Sequence, residues 1–224
     1  MSELMKVEGL RFSWGDNLVI DSVDFAVKEN ELISILGKNG AGKSTLLKCL
    51  NKILSPSQGK ILIQGEDVTE LDILTTSKKM SYVPQSITSN FSMDVFDVVL
   101  LGRRPYINWS VGENDRNLVS KTIDRMGLSG FAFRRFDRLS GGEKQRVIIA
   151  KAVAQDPDLF LFDEPTSDLD LKNQIEVMKE LRKIVSEENG KAAVIAIHDI
   201  NIASRFSDRI IPVSYTHLRA HETG

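Results

Sequence analysis

The sequence predicts an α/β fold in which a parallel sheet flanked by helices carries an antiparallel β portion and an inserted helical segment. Three observations predict it. Continuous apolar runs at 159–162 and 192–197 alternate with helical patterns, as strands buried on both faces do. Residues 5–32 and 60–68 instead alternate apolar with polar side chains, as strands with one solvated face do. Between about 92 and 154 the pattern is mostly helical, interrupted at Pro105 and Gly127.

The alternating portion opens with Lys6-Val7-Glu8 and continues through Asp24-Phe25-Ala26-Val27. Glu31-Leu32-Ile33-Ser34-Ile35-Leu36 then reads as a short buried strand, and Ser44 to Leu50 reads as a helix. Between them lies Gly37-Lys38-Asn39-Gly40-Ala41-Gly42-Lys43-Ser44-Thr45, which fits the pattern G-x-x-x-x-G-K-[ST]. In such a loop the glycines let backbone N–H groups close on phosphate oxygens, Lys43 neutralises them and the Ser44 hydroxyl holds Mg²⁺. Strand, loop and helix in that order set the triphosphate of a nucleotide at a helix N-terminus, where unpaired N–H groups favour an anion. Alternation returns in Lys60-Ile61-Leu62-Ile63-Gln64-Gly65.

Leu139-Ser140-Gly141-Gly142-Glu143 opens an apolar-rich helix from 142 to 154. Ser140 and Glu143 make a capping box, which explains those two residues without any ligand. It does not explain Gly141-Gly142, a pair that weakens a helix and frees the backbone for close approach to a ligand. The strand at 159–162 ends in Asp163-Glu164, so two acids sit at the sheet edge where open α/β folds bind ligands. Phosphoryl transfer to water needs one acid to hold Mg²⁺ and another to orient and deprotonate the water. Asp163 suits the first task and Glu164 the second. A helix from about 171 to 188 ends near Gly190, and a further apolar strand at 193–197 runs into His198-Asp199.

Composition bounds the class. With 224 residues, 42% apolar and 27% charged, the chain can bury one substantial core or two small ones. It has no apolar run of about 18 residues that would span a membrane, and no basic-then-apolar leader at its start. The single cysteine, Cys49, cannot form an intrachain disulfide and reads as a small core residue. A net charge of −2 gives no global basic footprint for nucleic acid.

The segment 213–223 resembles a frame translation of a transposon-derived sequencing-library adapter, whose first two bases would complete the codon for Pro212. On that reading the native sequence ends at Ile211, and 212–224 is a non-native tail. The pair His217 and His221, followed by Glu222, is then no metal site, and His198 is the one native histidine.

The phosphate loop, the acids after 159–162 and above all Leu139-Ser140-Gly141-Gly142-Glu143 together resemble an ATP-binding cassette (ABC) ATPase, with matches in the family's order over nearly all of 5–211. The resemblance implies a phosphate-loop, RecA-like parallel core (about 33–57, 84–91 and 155–211), an antiparallel β subdomain (about 5–32 and 58–83) and an inserted helical subdomain (about 92–154). It implies ATP and Mg²⁺ as ligands, with Glu164, His198, Gln85 and Lys43 as the catalytic set. Residues 37–45 and Trp14 hold the nucleotide in one copy; Ser140, Gly141, Gly142 and Glu143 reach it from a second copy. Ser44, Asp163 and Gln85 serve the metal. Trp14 takes the place of an adenine-stacking aromatic, with Phe12 as the competing choice. Ser167-Asp168-Leu169-Asp170 matches the dimer-crossing loop, although Asp168 replaces the usual alanine and leaves that contact open.

Val98 to Tyr106, Thr166 to Leu171 and His198 to Ala203 look like the ATPases of iron-siderophore, haem and cobalamin importers, where the segment near Arg103 and Tyr106 lies close to the permease. A solvated helix end is the plainer account of Arg103 and Arg104. Within the class, zinc or manganese importers are the competitors; outside it stand a DNA-repair or translation cassette and a stand-alone phosphate-loop kinase or GTPase. The first of these would carry a coiled-coil insertion or second cassette, and the second would lack 139–143. The resemblance further implies a head-to-tail dimer, an integral membrane permease as partner, a substrate-binding protein met indirectly, and a place on the cytoplasmic face of the membrane. Family members continue beyond Ile211 with a further strand and helices.

Overall fold

A computed structural model describes residues 2–85, 92–167, 169–187 and 190–213. The substitution noted at Asp168, the tail from Ser214 onward and part of the core range 84–91 lie outside the described residues. Two sheets organise the chain. The first is antiparallel and contains β1 (Glu3–Trp14), β2 (Asn17–Lys28), β4 (Gln58–Ile63) and β5 (Glu66–Asp67) in the order β2-β1-β4-β5. The second is parallel throughout: β3 (Leu32–Leu36), β6 (Met80–Val83), β7 (Leu159–Asp163), β8 (Ala192–Ile197) and β9 (Arg209–Pro212), ordered β6-β7-β8-β3-β9. The α/β fold class expected from the sequence is what the chain adopts.

The two apolar runs are continuous because both faces of the parallel sheet are covered. On β7, Phe160 and Phe162 face one core with α5 (Gly141–Ala154) and α6 (Leu171–Glu187), while Leu159 and Leu161 face the other. β8 divides the same way, Ala193, Ile195 and Ile197 against Ala192, Val194 and Ala196. The second core also takes in α1 (Lys43–Leu50) and the inner face of the antiparallel sheet, so the two sheets share one apolar interior. Cys49 lies there, 1% exposed, and burial pushes its thiol up to about 11, as suits an inert core residue.

Three differences from the sequence reading have physical causes. Residues 80–83, grouped above with the antiparallel strands, form β6 in the parallel sheet, because Met80 and Val83 are buried and the strand pairs in register with β7. A helix, α2 (Ile73–Lys79), precedes it, started by Asp72, whose Oδ1 accepts the Thr75 N–H at 2.8 Å. Third, the helical segment consists of α3 (Val95–Leu100), α4 (Glu113–Arg125) and α5 joined by turns, and Arg103 is no solvated helix end. Its guanidinium is 12% exposed, pairs with Asp115 at 2.9 Å, donates to the Ala154 carbonyl at 3.0 Å and lies 4.0 Å over the Tyr106 ring. It braces the end of α3 against the C-terminus of α5. Arg104 is exposed as expected. Gly102 permits that close approach, since a Cβ there would sit 2.2 Å from the Lys151 carbonyl oxygen.

Helix α7 (Ile200–Phe206) connects β8 to β9 and is capped by Asp199, which accepts from Asn201 and Ile202 N–H. At the end of β9, the sheet edge, Pro212 needs no donor partner, and the Val213 N–H donates to the Leu36 carbonyl at 2.7 Å.

Candidate nucleotide site

β3, β7 and β8 are parallel, so their C-terminal ends lie on one edge and deliver Gly37, Asp163 with Glu164, and His198 to the same place. The loop 37–42 turns tightly from β3 into α1 with Gly40 and Gly42 at φ 80° and 94°, which only glycine adopts without strain. Lys43, 4% exposed, is the first residue of α1. Its Nζ donates to the carbonyls of Gly37 (2.8 Å) and Lys38 (3.1 Å) and lies 2.9 Å from Glu164 Oε1. Lys38, Asn39 and Gly40 are exposed, and Ala41 is buried beneath the turn.

Glu164 is 6% exposed and has φ 47°, a left-handed backbone that a glutamate adopts at a cost. Its N–H donates to the Ala196 carbonyl at 3.1 Å, which ties the turn to β8. Three groups converge on its carboxylate: Lys43 on Oε1, and on Oε2 both Gln85 Nε2 at 3.4 Å and His198 Nδ1 at 3.3 Å. His198 remains about half exposed, its side chain 49% accessible. The structure thus brings all four residues of the expected catalytic set to one carboxylate.

Asp163, one residue earlier, is engaged separately. The Ser44 hydroxyl donates to Oδ1 at 2.8 Å and the Tyr82 hydroxyl to Oδ2 at 3.0 Å. Burial, and then the Asp163 charge, push the Tyr82 phenol up, so it keeps the proton it donates. A hydroxyl and a carboxylate oxygen beside a phosphate loop are the hard donors that Mg²⁺ takes together with phosphate oxygens. Among the described residues no cluster of three or more His, Cys, Asp or Glu side chains could hold a metal by itself. An ion at Ser44 and Asp163 would draw its other ligands from nucleotide, water and the Gln85 amide, which lines the same cleft as Ser44.

Lys43, Ser44 and Glu164 line a cleft of about 390 Å³ together with Asn39, Gly40, Gly42, Thr45, Gln85, Trp14, Asn17 and Val19. Trp14 is 56% exposed and stands edge-on to Phe12, whose ring is buried at 7%. Between the two aromatics, only Trp14 offers a face to a ligand. Asn17, Val19 and Tyr82 were not singled out from the sequence; the hairpin that carries Trp14 would have suggested the first two, while Tyr82 had no local signal.

Residues 140–143 do not line this cleft. Ser140 and Glu143 form the expected capping box: the Ser140 N–H and hydroxyl both donate to Glu143 Oε2 at 2.7 Å, and the Glu143 N–H donates back at 3.4 Å. These bonds hold the Glu143 carboxyl below its ordinary range. Gly141 is exposed, and a Cβ on it would meet nothing within 4 Å.

The family described as ABC transporter matches residues 20–167. The chain belongs to this family. It is 48% identical over 208 residues to an uncharacterized ABC transporter ATP-binding protein of Methanocaldococcus jannaschii, covering 93% of this chain and 81% of that one. It is 36% identical over 208 residues to the petrobactin import ATP-binding protein of Bacillus subtilis, covering 93% and 82%; others at 32–36% identity are named for cobalamin import, achromobactin transport, petrobactin import and siderophore transport. Its fold superposes with a TM-score of 0.85, at 30% identity and over 99% and 100% of the two chains, on a dimeric ATP-binding cassette in a post-hydrolysis state bound to ADP and phosphate. This ABC protein is an ATP-hydrolysing subunit of a transporter. Among the described residues no helix is long and apolar enough to cross a membrane.

Proposed function

We propose that this cassette powers uptake of an iron-siderophore, haem or cobalamin-type metal chelate, acting as a head-to-tail pair of copies bound to an integral membrane permease at the cytoplasmic face of the membrane. The petrobactin-import relative supports the substrate class, and the dimeric ADP-bound relative supports the pairing. A substrate-binding protein would meet the permease, not this chain.

The observation that carries the hydrolytic reading is the convergence of Lys43, Gln85 and His198 on the Glu164 carboxylate. The triphosphate would lie in loop 37–45, with adenine against Trp14. Lys43 then turns from Glu164 to the phosphates, which frees the carboxylate. Gln85 and His198 keep it aimed at the water. Water attacks the γ-phosphorus, the bond to the β-phosphate oxygen breaks, and Glu164 takes the water proton. Mg²⁺ held by Ser44 and Asp163 would neutralise charge on the phosphate oxygens. Ser140, Gly141 and Gly142 of a second copy would close the site over the γ-phosphate through N–H groups at the start of α5.

Replacing Glu164 with Gln tests the role of the base. Turnover should fall by about 10³-fold or more, with ATP-bound dimers accumulating in size-exclusion chromatography; undiminished steady-state hydrolysis would refute it. The transport reading predicts that ATP hydrolysis by the reconstituted permease complex rises when the binding protein is loaded with a ferric chelate. A greater response to a zinc-loaded binding protein would assign the system to the other importer class.

A further inference from the structure

Asp163 presents two carboxylate oxygens, and each is spoken for by a different hydroxyl. Ser44, on the phosphate-loop side, donates to Oδ1 at 2.8 Å; Tyr82, on β6, donates to Oδ2 at 3.0 Å. The register explains the second contact. Tyr82 pairs with Leu161 across the parallel β6–β7 ladder, and side chains two apart on a strand share a face. Tyr82 therefore stands on the face of Leu161 and Asp163, the face that α1 covers. Its ring packs, partly buried, against the core shared with α1, so its hydroxyl is delivered by a fixed platform.

We propose that Tyr82 is a positioning residue for the metal end of the ATP site: its hydroxyl fixes Asp163 Oδ2, which leaves Oδ1 directed at Ser44 as one half of an oxygen pair for Mg²⁺. The inference rests on the reading of Asp163 and Ser44 as metal-side residues given above. A carboxylate held at one oxygen has lost its torsional freedom before the ion arrives, so the ion meets a prepared ligand. Tyr82 also precedes by three residues Gln85, which lies two residues beyond the end of β6 and contacts Glu164. The placement of β6 thereby sets both acids, Asp163 through Tyr82 and Glu164 through Gln85.

The test is binding of a fluorescent ATP analogue to the whole chain, first in EDTA and then across a Mg²⁺ titration, for wild type, Tyr82→Phe, Asp163→Asn and the double variant. Phenylalanine keeps the ring in the core and removes only the hydroxyl. Tyr82→Phe should leave the EDTA affinity unchanged and raise the Mg²⁺ concentration for half-maximal enhancement by about five- to tenfold. Asp163→Asn should raise it further, and the double variant should add little beyond Asp163→Asn. A Tyr82→Phe variant with wild-type Mg²⁺ dependence, alongside a shifted Asp163→Asn, would overturn the positioning role and leave the metal-side reading standing. Equal weakening in EDTA and in Mg²⁺ would also overturn it, because a merely structural role does that. Unchanged Mg²⁺ dependence in Asp163→Asn would remove the reading on which the inference rests, and the inference with it.

Discussion

At the phosphate loop, Lys43 is 4% exposed, and its ammonium is held by two loop carbonyls and by Glu164. At residues 140–143, Gly141 is exposed, open space lies where its Cβ would be, and among the described residues the side-chain bonds run between Ser140 and Glu143. One region has its charges neutralised internally and must exchange partners to accept a phosphate. The other is finished as a helix start and has nothing to give up. On the function proposed above, the difference means that nucleotide binding is built into one chain, while the closing surface waits for a second copy. A buried cation in a preformed loop can hold an anion alone, whereas exposed N–H groups at a helix start are weak in water and gain strength only when a second surface excludes it.

That contrast can be broken at several points. The largest effect is expected for Lys43→Met: nucleotide affinity should fall by about 100-fold, since charge-assisted bonds to phosphate are lost. The same change leaves Glu164 without its cation, so unfolding by urea should report a loss of about 1–3 kcal/mol. Adding Glu164→Gln should return most of it; no recovery would mean the ion pair does not hold the free site together. Gly141→Asp should act in the reverse sense. Thermal stability and single-chain ATP binding should stay at wild-type levels, because the new side chain meets no atoms and an acid suits a helix start. Steady-state hydrolysis should drop by about 100-fold, with dimers absent by light scattering; persistence of both would refute the trans role.

A smaller effect is expected at the rim. Trp14→Ala should weaken ATP binding by about five- to tenfold through lost stacking without lowering the melting temperature. Phe12→Ala should instead destabilise the fold by about 3–5 kcal/mol. The opposite pairing would exchange the two roles. The smallest effect concerns the cap of α5. The Glu143 carboxyl is held below its ordinary 4.5 by the Ser140 hydroxyl and N–H, so its contribution to stability is complete above 4.5 and is lost as pH falls through the lower, folded value. Glu143→Gln keeps a capping box that does not titrate, and should flatten that part of the acid-unfolding curve.

Local order made much of this readable in advance. The phosphate loop, the Asp163-Glu164 pair and the α5 cap are each contiguous in the chain, and their chemistry depends on spacing alone. The strand assignments at 159–163 and 192–197 follow from burial on both faces, which leaves no polar interruption to confuse the pattern. What escaped was what long-range pairing creates. Met80-Ser81-Tyr82-Val83 is too short to show which sheet it joins, and only its ladder with β7 puts it in the parallel sheet. Arg103 carries no mark of its partners, because Asp115 and the Ala154 carbonyl reach it through the packing of separate helices. Tyr82 is invisible for the same reason, since Asp163 meets it across a strand pair.

Glu164 sits at φ 47°, where glycine or asparagine would rest more comfortably. Replacing it would relieve up to about 1 kcal/mol of backbone strain but would leave Lys43, 4% exposed, buried without its anion. The strained backbone at position 164 is therefore tied to the side chain that pairs with Lys43 and that is proposed above as the base. A thermostabilised version of this cassette has to find its gains elsewhere.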